Sequence, residues 1–183
     1  MEILLYRHAE PMVSDQEKIS GRDFPQWVQR YNASGILKNR LAGSKEAVVY
    51  TSDLLRSKDT GRLIGKKIVA NSLIREAQIP LIRFPAIRLK AKFWLVIARS
   101  LWLFGLKTKC ESLAEAKIRA RQAVFIFEAQ ILNNDRIVIV GHGFINRLIK
   151  KELRKHGWLL KQKTVGHGFL SQMRFEIEPQ KRI

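Results

Sequence analysis

The sequence predicts an α/β fold, a three-layer α/β/α sandwich built around a mainly parallel central sheet. Three short apolar runs, partly β-branched, have the composition of strands that are buried on both faces: Glu2–Tyr6, Ala47–Thr51 and Arg136–Val140. Longer segments with helical periodicity separate these runs, and such alternation is typical of a sheet covered by helices. Polar residues follow each apolar run directly.

Helical patterns follow the predicted strands. The first pattern covers Ser52–Lys67, the second Ser112–Leu132 and the third Phe144–His156. The second opens with Ser112 and Glu115, which have the spacing of a capping box. The chain is therefore expected to pass from strand to helix through most of its length.

Length and composition favour a single domain spanning residues 1–183. The chain is 46% hydrophobic, which is ample for one core. Its single cysteine, Cys110, cannot form an internal disulfide, and no Cys/His cluster has the short spacing of a zinc site. The amino-terminal residues lack the features of a signal peptide, so we expect a cytoplasmic protein.

The charge of the chain is strongly positive. Lysine and arginine number 34 against 16 acidic residues, giving a formal net charge of +18. Such an excess attracts phosphorylated ligands, nucleic acid or an anionic membrane surface. The basic cluster Lys150, Lys151, Arg154 and Lys155 has no accompanying nucleic-acid motif, so we interpret it as a solvated helix face. We expect a phosphorylated small molecule, not nucleic acid, as the partner.

The polar residues after the three predicted strands are expected to lie close together. Arg7 and His8 follow the first strand, Ser52 and Arg56 follow the second, and His142 follows the third. In open α/β sheets the ligand crevice lies at the carboxyl ends of the parallel strands. The predicted site therefore lies at this edge of the sheet.

These residue types suit phosphoryl transfer without a metal. Such a reaction needs an unprotonated nitrogen nucleophile, fixed cations around the phosphate oxygens and an acid for the leaving group. His8 is the candidate nucleophile, because neighbouring arginines disfavour its imidazolium form. Arg7 and Arg56 carry planar forks that bind phosphate bidentately. His142 lies between two glycines that allow a sharp turn, and it is the candidate second histidine.

Three segments in the same order resemble the histidine phosphatase superfamily, which has the phosphoglycerate mutase-like fold. They are RHAE near the amino terminus, TSDLLRSKDT in the middle and VGHGFINRL late in the chain. The resemblance implies a covalent phosphohistidine on His8 and a phosphate pocket of Arg7, Arg56 and His142. It implies no metal and no cofactor. Ala9 stands where the family usually has glycine.

The resemblance also suggests roles for residues outside these segments. Many members have a glutamate that acts as the general acid. It follows the strand after the helix that carries the phosphate-binding arginine, and Glu76 in LIRE resembles it. Members often bring the loop before the last strand near the substrate, which makes His167 a candidate for substrate binding. Glu10, which directly follows Arg7-His8-Ala9, would repel a second phosphate, so a bisphosphoglycerate mutase is disfavoured.

The predicted function is hydrolysis of a phosphomonoester through phosphohistidine on His8. One alternative is a non-catalytic module that binds a phosphorylated ligand or a membrane surface on the same fold. The other is a phosphotransferase of the phosphoglycerate mutase type. The sequence predicts no oligomeric state and no particular substrate.

Other residues near the motifs are expected to have structural roles. Ser52 and Asp53 are predicted to cap the helix that begins there, because short polar side chains satisfy free backbone N–H groups. Thr60 lies one helical turn beyond Arg56, and the family pattern has a threonine there. We expect Thr60 to pack.

Residues 77–109 are predicted to form a cap-like insertion that governs substrate choice. The segment is apolar and basic, and it contains the run FWLVIARSLWLFG. We expect a compact apolar cluster of Phe93, Trp94, Trp102 and Phe104. The apolar stretch that contains them is too short to cross a bilayer. With its cations, 88–109 could lie at a membrane surface. Core packing or self-association is the favoured interpretation.

Overall fold

In the computed structural model the described residues form a central sheet of six strands. The structure describes residues 1–37, 48–81, 83–106, 109–164 and 168–177. The strands β1 (Glu2–Arg7), β3 (Val48–Thr51), β4 (Lys67–Ala70) and β6 (Arg136–Gly141) pair in parallel. β8 (Gln172–Glu176) is antiparallel to β1, and β7 (Leu159–Lys163) pairs antiparallel with β8. The strand order is β4-β3-β6-β1-β8-β7, and the predicted mainly parallel sheet is confirmed.

The predicted strands and helices are present in the structure, but their first and last residues differ from the prediction. The capping box of α4 (Leu113–Ile131) forms as predicted, because Ser112 and Glu115 exchange bonds with each other's backbone. α5 covers Gly143–Lys155. The helix α2 is shorter than expected, covering Leu55–Ile64, since β4 begins at Lys67. Ala47, the predicted start of the second strand, lies outside the described residues.

Helices cover both faces of the sheet and produce the three predicted layers. Alternate residues of β1 point to opposite sides, as the period of a strand requires. Ile3 and Leu5 are fully buried in a core shared with α4 and α5. Leu4 and Tyr6 pack on the other face, in a smaller cluster that includes Ile64 of α2. The α/β/α layering therefore follows from the pattern of apolar residues in the strands.

A second apolar cluster lies apart from the sheet core. It is built from α1 (Phe24–Ala33), α3 (Ala91–Leu103) and a two-stranded antiparallel sheet of β2 (Lys18–Ser20) and β5 (Arg88–Lys90). Trp27 and Trp94 are buried in this cluster. The segment predicted as a cap, 77–109, thus packs against residues from the first part of the chain, which the sequence did not associate with it.

The predicted apolar cluster of Phe93, Trp94, Trp102 and Phe104 is wrong. Trp94 and Trp102 are buried, but Trp102 belongs to the sheet core and Trp94 to the second cluster. Phe93 is 50% exposed and Phe104 is 90% exposed. The reason is helical geometry, since the two tryptophans and the two phenylalanines lie on opposite faces of α3. Within the described ranges, no helix has the length and apolar character needed to cross a membrane.

Candidate active site

The ends of β1, β3 and β6 bring the predicted site residues together. Arg7 is the last residue of β1 and pairs with Gly141 of β6. The backbone N–H of His8 donates to the Gly141 carbonyl at 3.1 Å, which places His8 and His142 side by side. Their ring centroids are 4.9 Å apart. Parallel pairing of the two strands therefore positions both histidines.

The contacts of His8 fit one neutral tautomer. Nδ1 lies 2.7 Å from the Ala9 carbonyl oxygen, which can only accept, so Nδ1 carries the proton. Nε2 accepts a hydrogen bond from Arg56 Nε at 3.3 Å. Burial lowers the pKa of His8 well below its ordinary value, and the charge of Arg56 lowers it further. His8 therefore presents the unprotonated Nε2 that nucleophilic attack requires.

Arg56 is a buried cation whose contacts go to neutral acceptors. It is 2% exposed and lies on the first turn of α2. Besides His8, its Nη1 donates to the Tyr31 carbonyl at 3.1 Å and to Asn32 Oδ1 at 3.3 Å. Burial lowers its pKa, although an arginine stays charged at neutral pH. A buried guanidinium held in this way is ready to bind an anion, because burying an uncompensated charge is costly.

Arg7 adds a second guanidinium at the same edge of the sheet. Its Cζ lies 4.5 Å from the ring centroid of Phe169, which is a cation–π contact. A Cβ placed at Gly143 would lie 3.6 Å from Arg7 Nε and 3.9 Å from Glu76 Oε2. The Arg7 guanidinium and the Glu76 carboxylate therefore both approach the start of α5, next to the histidines.

His142 contacts Ser52, so the expected capping role of Ser52 is wrong. Ser52 Oγ lies 2.7 Å from His142 Nε2, and α2 begins without a side-chain cap. Asp53, the other expected cap, forms an ion pair with Arg75. Ser52 Oγ does accept the N–H of Leu54 at 3.3 Å, but Leu54 precedes α2, so this bond lies outside the first turn that a cap would bind.

The His142 ring is completely buried and uncharged. Burial lowers its pKa well below the ordinary value, with smaller contributions from His8 and Arg56. Nδ1 is buried and has no hydrogen-bond partner within the described part of the chain. A buried ring nitrogen without a partner is costly unless a ligand satisfies it.

Glu76 binds the amino terminus of α5. Its Oε2 accepts from the N–H of Phe144 at 3.0 Å, and its Oε1 accepts from Ile145 at 3.0 Å and from Ala77 at 2.9 Å. The helix cap His142 makes no side-chain bond to these N–H groups. Glu76 is therefore the cap of this helix, which begins directly after His142.

Two arginines from other helices hold the loop that carries Glu76. Arg119 of α4 donates to the Leu73 and Arg75 carbonyls, each at 2.7 Å. Arg99 of α3 donates to the Ala77 carbonyl at 2.7 Å and also to that of Gln78. The position of Glu76 is thus determined by two helices that are distant in sequence.

Thr60 and Asn146 have polar roles that the sequence did not predict. Thr60 Oγ1 accepts from the Ala9 N–H at 2.9 Å and donates to the Arg56 carbonyl at 2.7 Å. Thr60 therefore links the residue after His8 to α2, in addition to packing. Asn146 Nδ2 donates to the Tyr6 carbonyl at 2.9 Å. A Cβ at Gly141 would lie 2.1 Å from Asn146 Oδ1, so a side chain there would displace the Asn146 amide.

The structure brings Arg7, His8, Arg56, Glu76 and His142 into one site. His167, the remaining predicted binding residue, lies outside the described residues. Among the residues that are described, no group of three or more His, Cys, Asp or Glu side chains is arranged to hold a metal ion. Tyr31, Asn32 and Phe169 join the site only through the fold, and nothing in their local sequence marks them.

The chain belongs to the histidine phosphatase superfamily, branch 1, whose family model matches residues 3–177. This match confirms the predicted family and the predicted enzyme class, a phosphatase of this superfamily. Comparison with curated protein sequences gives no significant match.

Solved structures of low sequence identity share the fold. A histidine-to-alanine mutant of phosphoserine phosphatase from Entamoeba histolytica, in complex with phosphoserine, is 16% identical with a TM-score of 0.62; the match covers 97% of this chain and 91% of that one. Phosphoglycerate mutase from Bacillus anthracis is 10% identical with a TM-score of 0.58, over 97% and 91% of the two chains. The ecdysone phosphate phosphatase of Bombix mori is 11% identical with a TM-score of 0.56, over 97% and 92%. The predicted phosphoglycerate mutase-like fold is confirmed.

Proposed function

We propose that the protein hydrolyses a phosphomonoester through a phosphohistidine on His8. The observation that carries this proposal is the bonding of the His8 imidazole, whose protonated Nδ1 faces the Ala9 carbonyl while Nε2 faces the buried Arg56. A neutral nitrogen nucleophile next to a fixed cation suits attack on a negatively charged phosphoryl group. Family membership supports the same chemistry.

In the first step the Nε2 lone pair of His8 attacks phosphorus and the ester P–O bond breaks. Glu76 gives its proton to the departing oxygen, which leaves as an alcohol. In the second step water attacks the phosphohistidine, the N–P bond breaks and Glu76 takes the proton from the water. Inorganic phosphate is released, and His8 returns to its neutral form. The two steps together need neither an oxidant nor a metal ion.

Arg7, Arg56 and His142 are proposed to bind the phosphoryl oxygens. The two guanidiniums stabilise the charge that builds up on these oxygens in the transition state, and losing one such donor typically costs about 2.7–4 kcal/mol. His142 Nδ1, which is buried and lacks a partner among the described residues, gains one if an oxygen of the substrate approaches it. His167 remains a candidate for the rim of the pocket.

A second candidate function is a non-catalytic module that binds a phosphorylated ligand. The bonding of Glu76 favours it, because both carboxylate oxygens already accept backbone N–H groups of α5 and the adjacent loop. A glutamate used only as a helix cap would leave the site without a proton donor. The mutase alternative has less support, because the carboxylate of Glu10, two residues after His8, would repel a second phosphate.

The substrate is proposed to be a phosphorylated small molecule, with residues 77–109 acting as a cap within a single domain. Arg99 of α3 supports this role for the cap. Its guanidinium donates to the carbonyl of Ala77, next to Glu76, and its Cζ lies 4.7 Å from the ring centroid of Phe144. A cytoplasmic location remains our expectation, since the single cysteine offers no internal disulfide.

The proposed reaction is tested by hydrolysis of a generic aryl phosphate. Wild type and His8→Ala are assayed with and without a chelator, which exposes any contaminating metal-dependent phosphatase. Circular dichroism establishes that both proteins are folded. Turnover that resists the chelator and disappears in His8→Ala supports the phosphohistidine route. Equal turnover in both proteins would overturn it, and binding of phosphate by an inactive wild type would favour the binding module.

A further inference from the structure

The helix α3 is apolar on two opposite faces, of which one is buried. Ala91, Trp94, Ala98 and Trp102 point inward, and each is at most 3% exposed. The opposite side, here termed the outer face of α3, is exposed to solvent. It consists of large apolar side chains: Phe93, Val96, Ile97, Leu103 and Phe104. Spacings of three, four and seven residues place these side chains on one stripe. A helix apolar all round is expected to bury both sides.

The segment of chain that carries the outer face contains only positive charges, and the nearby acidic residues Asp15 and Glu17 contact the first residues of α3 through their backbone carbonyls. From Ala77 to Cys110 the sequence contains no aspartate and no glutamate. Arg83, Arg88 and Lys109 are exposed, and Lys90 and Lys92 are partly exposed at the start of the helix. Lys92 Nζ lies 5.4 Å from the ring centroid of Phe93, so cation and apolar surface adjoin. Aromatic and aliphatic side chains flanked by cations are typical of helices that lie in a membrane interface.

We propose that the outer face of α3 docks onto the surface of an anionic phospholipid bilayer. Phe93, Val96 and Phe104 would enter the boundary between headgroups and acyl chains, with the helix parallel to the membrane plane. The flanking lysines and arginines would face the anionic headgroups. This inference does not depend on the proposed hydrolysis, because none of these residues belongs to the active site.

Charge complementarity favours a bilayer over a second copy of the chain as the occupant. Pairing two outer faces would bring two segments without carboxylates together, in molecules that each carry a formal charge of +18. Like charges across an interface disfavour association. An anionic bilayer instead supplies the missing negative charge and an apolar layer for the phenylalanines.

The test is co-sedimentation with vesicles of phosphatidylcholine alone or with about one-third phosphatidylglycerol. A basic protein can bind anionic vesicles through charge alone, so the decisive comparison uses variants that keep the charge. Phe93→Ser/Phe104→Ser removes two exposed rings from the outer face of α3. Phe125→Ser is the matched control, because Phe125 is a 72% exposed phenylalanine on α4. Thermal unfolding verifies that each variant is folded, and Val96→Ser replaces the double variant if it is not.

We expect wild type and Phe125→Ser to bind the anionic vesicles and not the neutral ones. Phe93→Ser/Phe104→Ser should partition at least about tenfold more weakly, because less apolar surface leaves water on docking. Equal binding of all three proteins would overturn the proposal by leaving charge as the only contribution, and so would failure of the wild type to bind. A wild-type dimer in sedimentation velocity that the double variant loses would also overturn it, because a second copy would then cover this face.

Discussion

The imidazole of His8 is held neutral by its surroundings rather than by a carboxylate partner. Burial disfavours the imidazolium, and Arg56 next to Nε2 disfavours it further, which lowers the pKa of His8. The same guanidinium that would bind the phosphate also keeps the nucleophile unprotonated. One cation thus supports both requirements of the proposed attack.

Removing the Arg56 guanidinium should therefore reduce catalysis more than stability. We expect Arg56→Ala to lower kcat/KM for an aryl phosphate by about 10²–10³-fold, as for loss of one donor to a transition-state oxyanion. Arg62→Ala is the matched control, because Arg62 lies on the same helix with its side chain 60% exposed. Steady-state kinetics of both variants decides the point, and a near-wild-type rate for Arg56→Ala would contradict the assigned role.

The two buried histidines also predict how stability depends on pH. The folded-state pKa values of His8 and His142 lie below the unfolded value of 6.5. As pH falls below about 6.5 the unfolded chain binds protons that the folded chain cannot, so the free energy of unfolding decreases. The slope reaches about 1.4 kcal/mol per pH unit for each histidine. Urea unfolding between neutral and acidic pH should show a shallower slope in His142→Asn than in wild type. An unchanged slope would argue against a neutral, buried His142.

At the scale of elements, the contact between Glu76 and α5 joins a structural role to a proposed catalytic one. The carboxylate satisfies two N–H groups of the first turn, which a helix otherwise leaves without partners. A negative group there is also favoured by the helix dipole. The two roles can be separated, because only proton donation depends on the leaving group.

We expect Glu76→Gln to lower kcat/KM for an alkyl phosphate by about 10²–10⁴-fold, as for loss of a general acid. This ratio reports the first step, so the loss of Glu76 as the base of the second step does not enter it. A nitrophenyl phosphate should be affected much less, since nitrophenolate leaves without a proton. Glu115→Gln, in the capping box of α4, is the control for the same substitution at a helix start away from the site, and it should leave kcat/KM for both esters unchanged. Equal losses of kcat/KM with both esters would contradict proton donation by Glu76.

The elements that the sequence predicts well are those with a strong apolar pattern. β1 and β6 were found because each is a continuous apolar run, and α4 because its capping box marks its start. β4 was missed because Ile68 continues the helical spacing from Ile64 of α2. β7 was missed because it is an exposed strand at the edge of the sheet.

The candidate site was predictable to the extent that its residues follow strands. Arg7, His8 and His142 lie at strand ends, where the parallel sheet brings them together. Tyr31 and Asn32 could not be found this way, because they reach Arg56 only through the packing of α1 against α2. Ser52 is predictable near the site because it follows the second strand, but its contact with His142 is not, because a serine before a helix is usually a cap.

At the scale of the whole molecule, the positive charge should make the folded state responsive to phosphate. The guanidiniums of Arg7 and Arg56 place part of this charge at one edge of the sheet, and the described contacts of Arg56 leave it without a carboxylate in hydrogen-bond contact. A ligand that binds only the folded state stabilises it by mass action.

Inorganic phosphate at about 100 times its Kd should stabilise wild type by about 2.7 kcal/mol and raise Tm accordingly. Chloride at matched ionic strength is the control for general screening of the charge. Arg56→Ala should lose most of the phosphate effect. If phosphate and chloride raise the Tm of wild type and variant equally, phosphate does not bind at the predicted site.

The most direct test of the central claim is to trap the phosphorylated enzyme. Wild type is mixed with an aryl phosphate, quenched in alkali because phosphohistidine is labile in acid, and digested for mass spectrometry. We predict one phosphoryl group on the peptide that contains His8, attached at Nε2 and absent from His8→Ala. Turnover without an adduct on this peptide, or an adduct on His142 instead, would contradict the account.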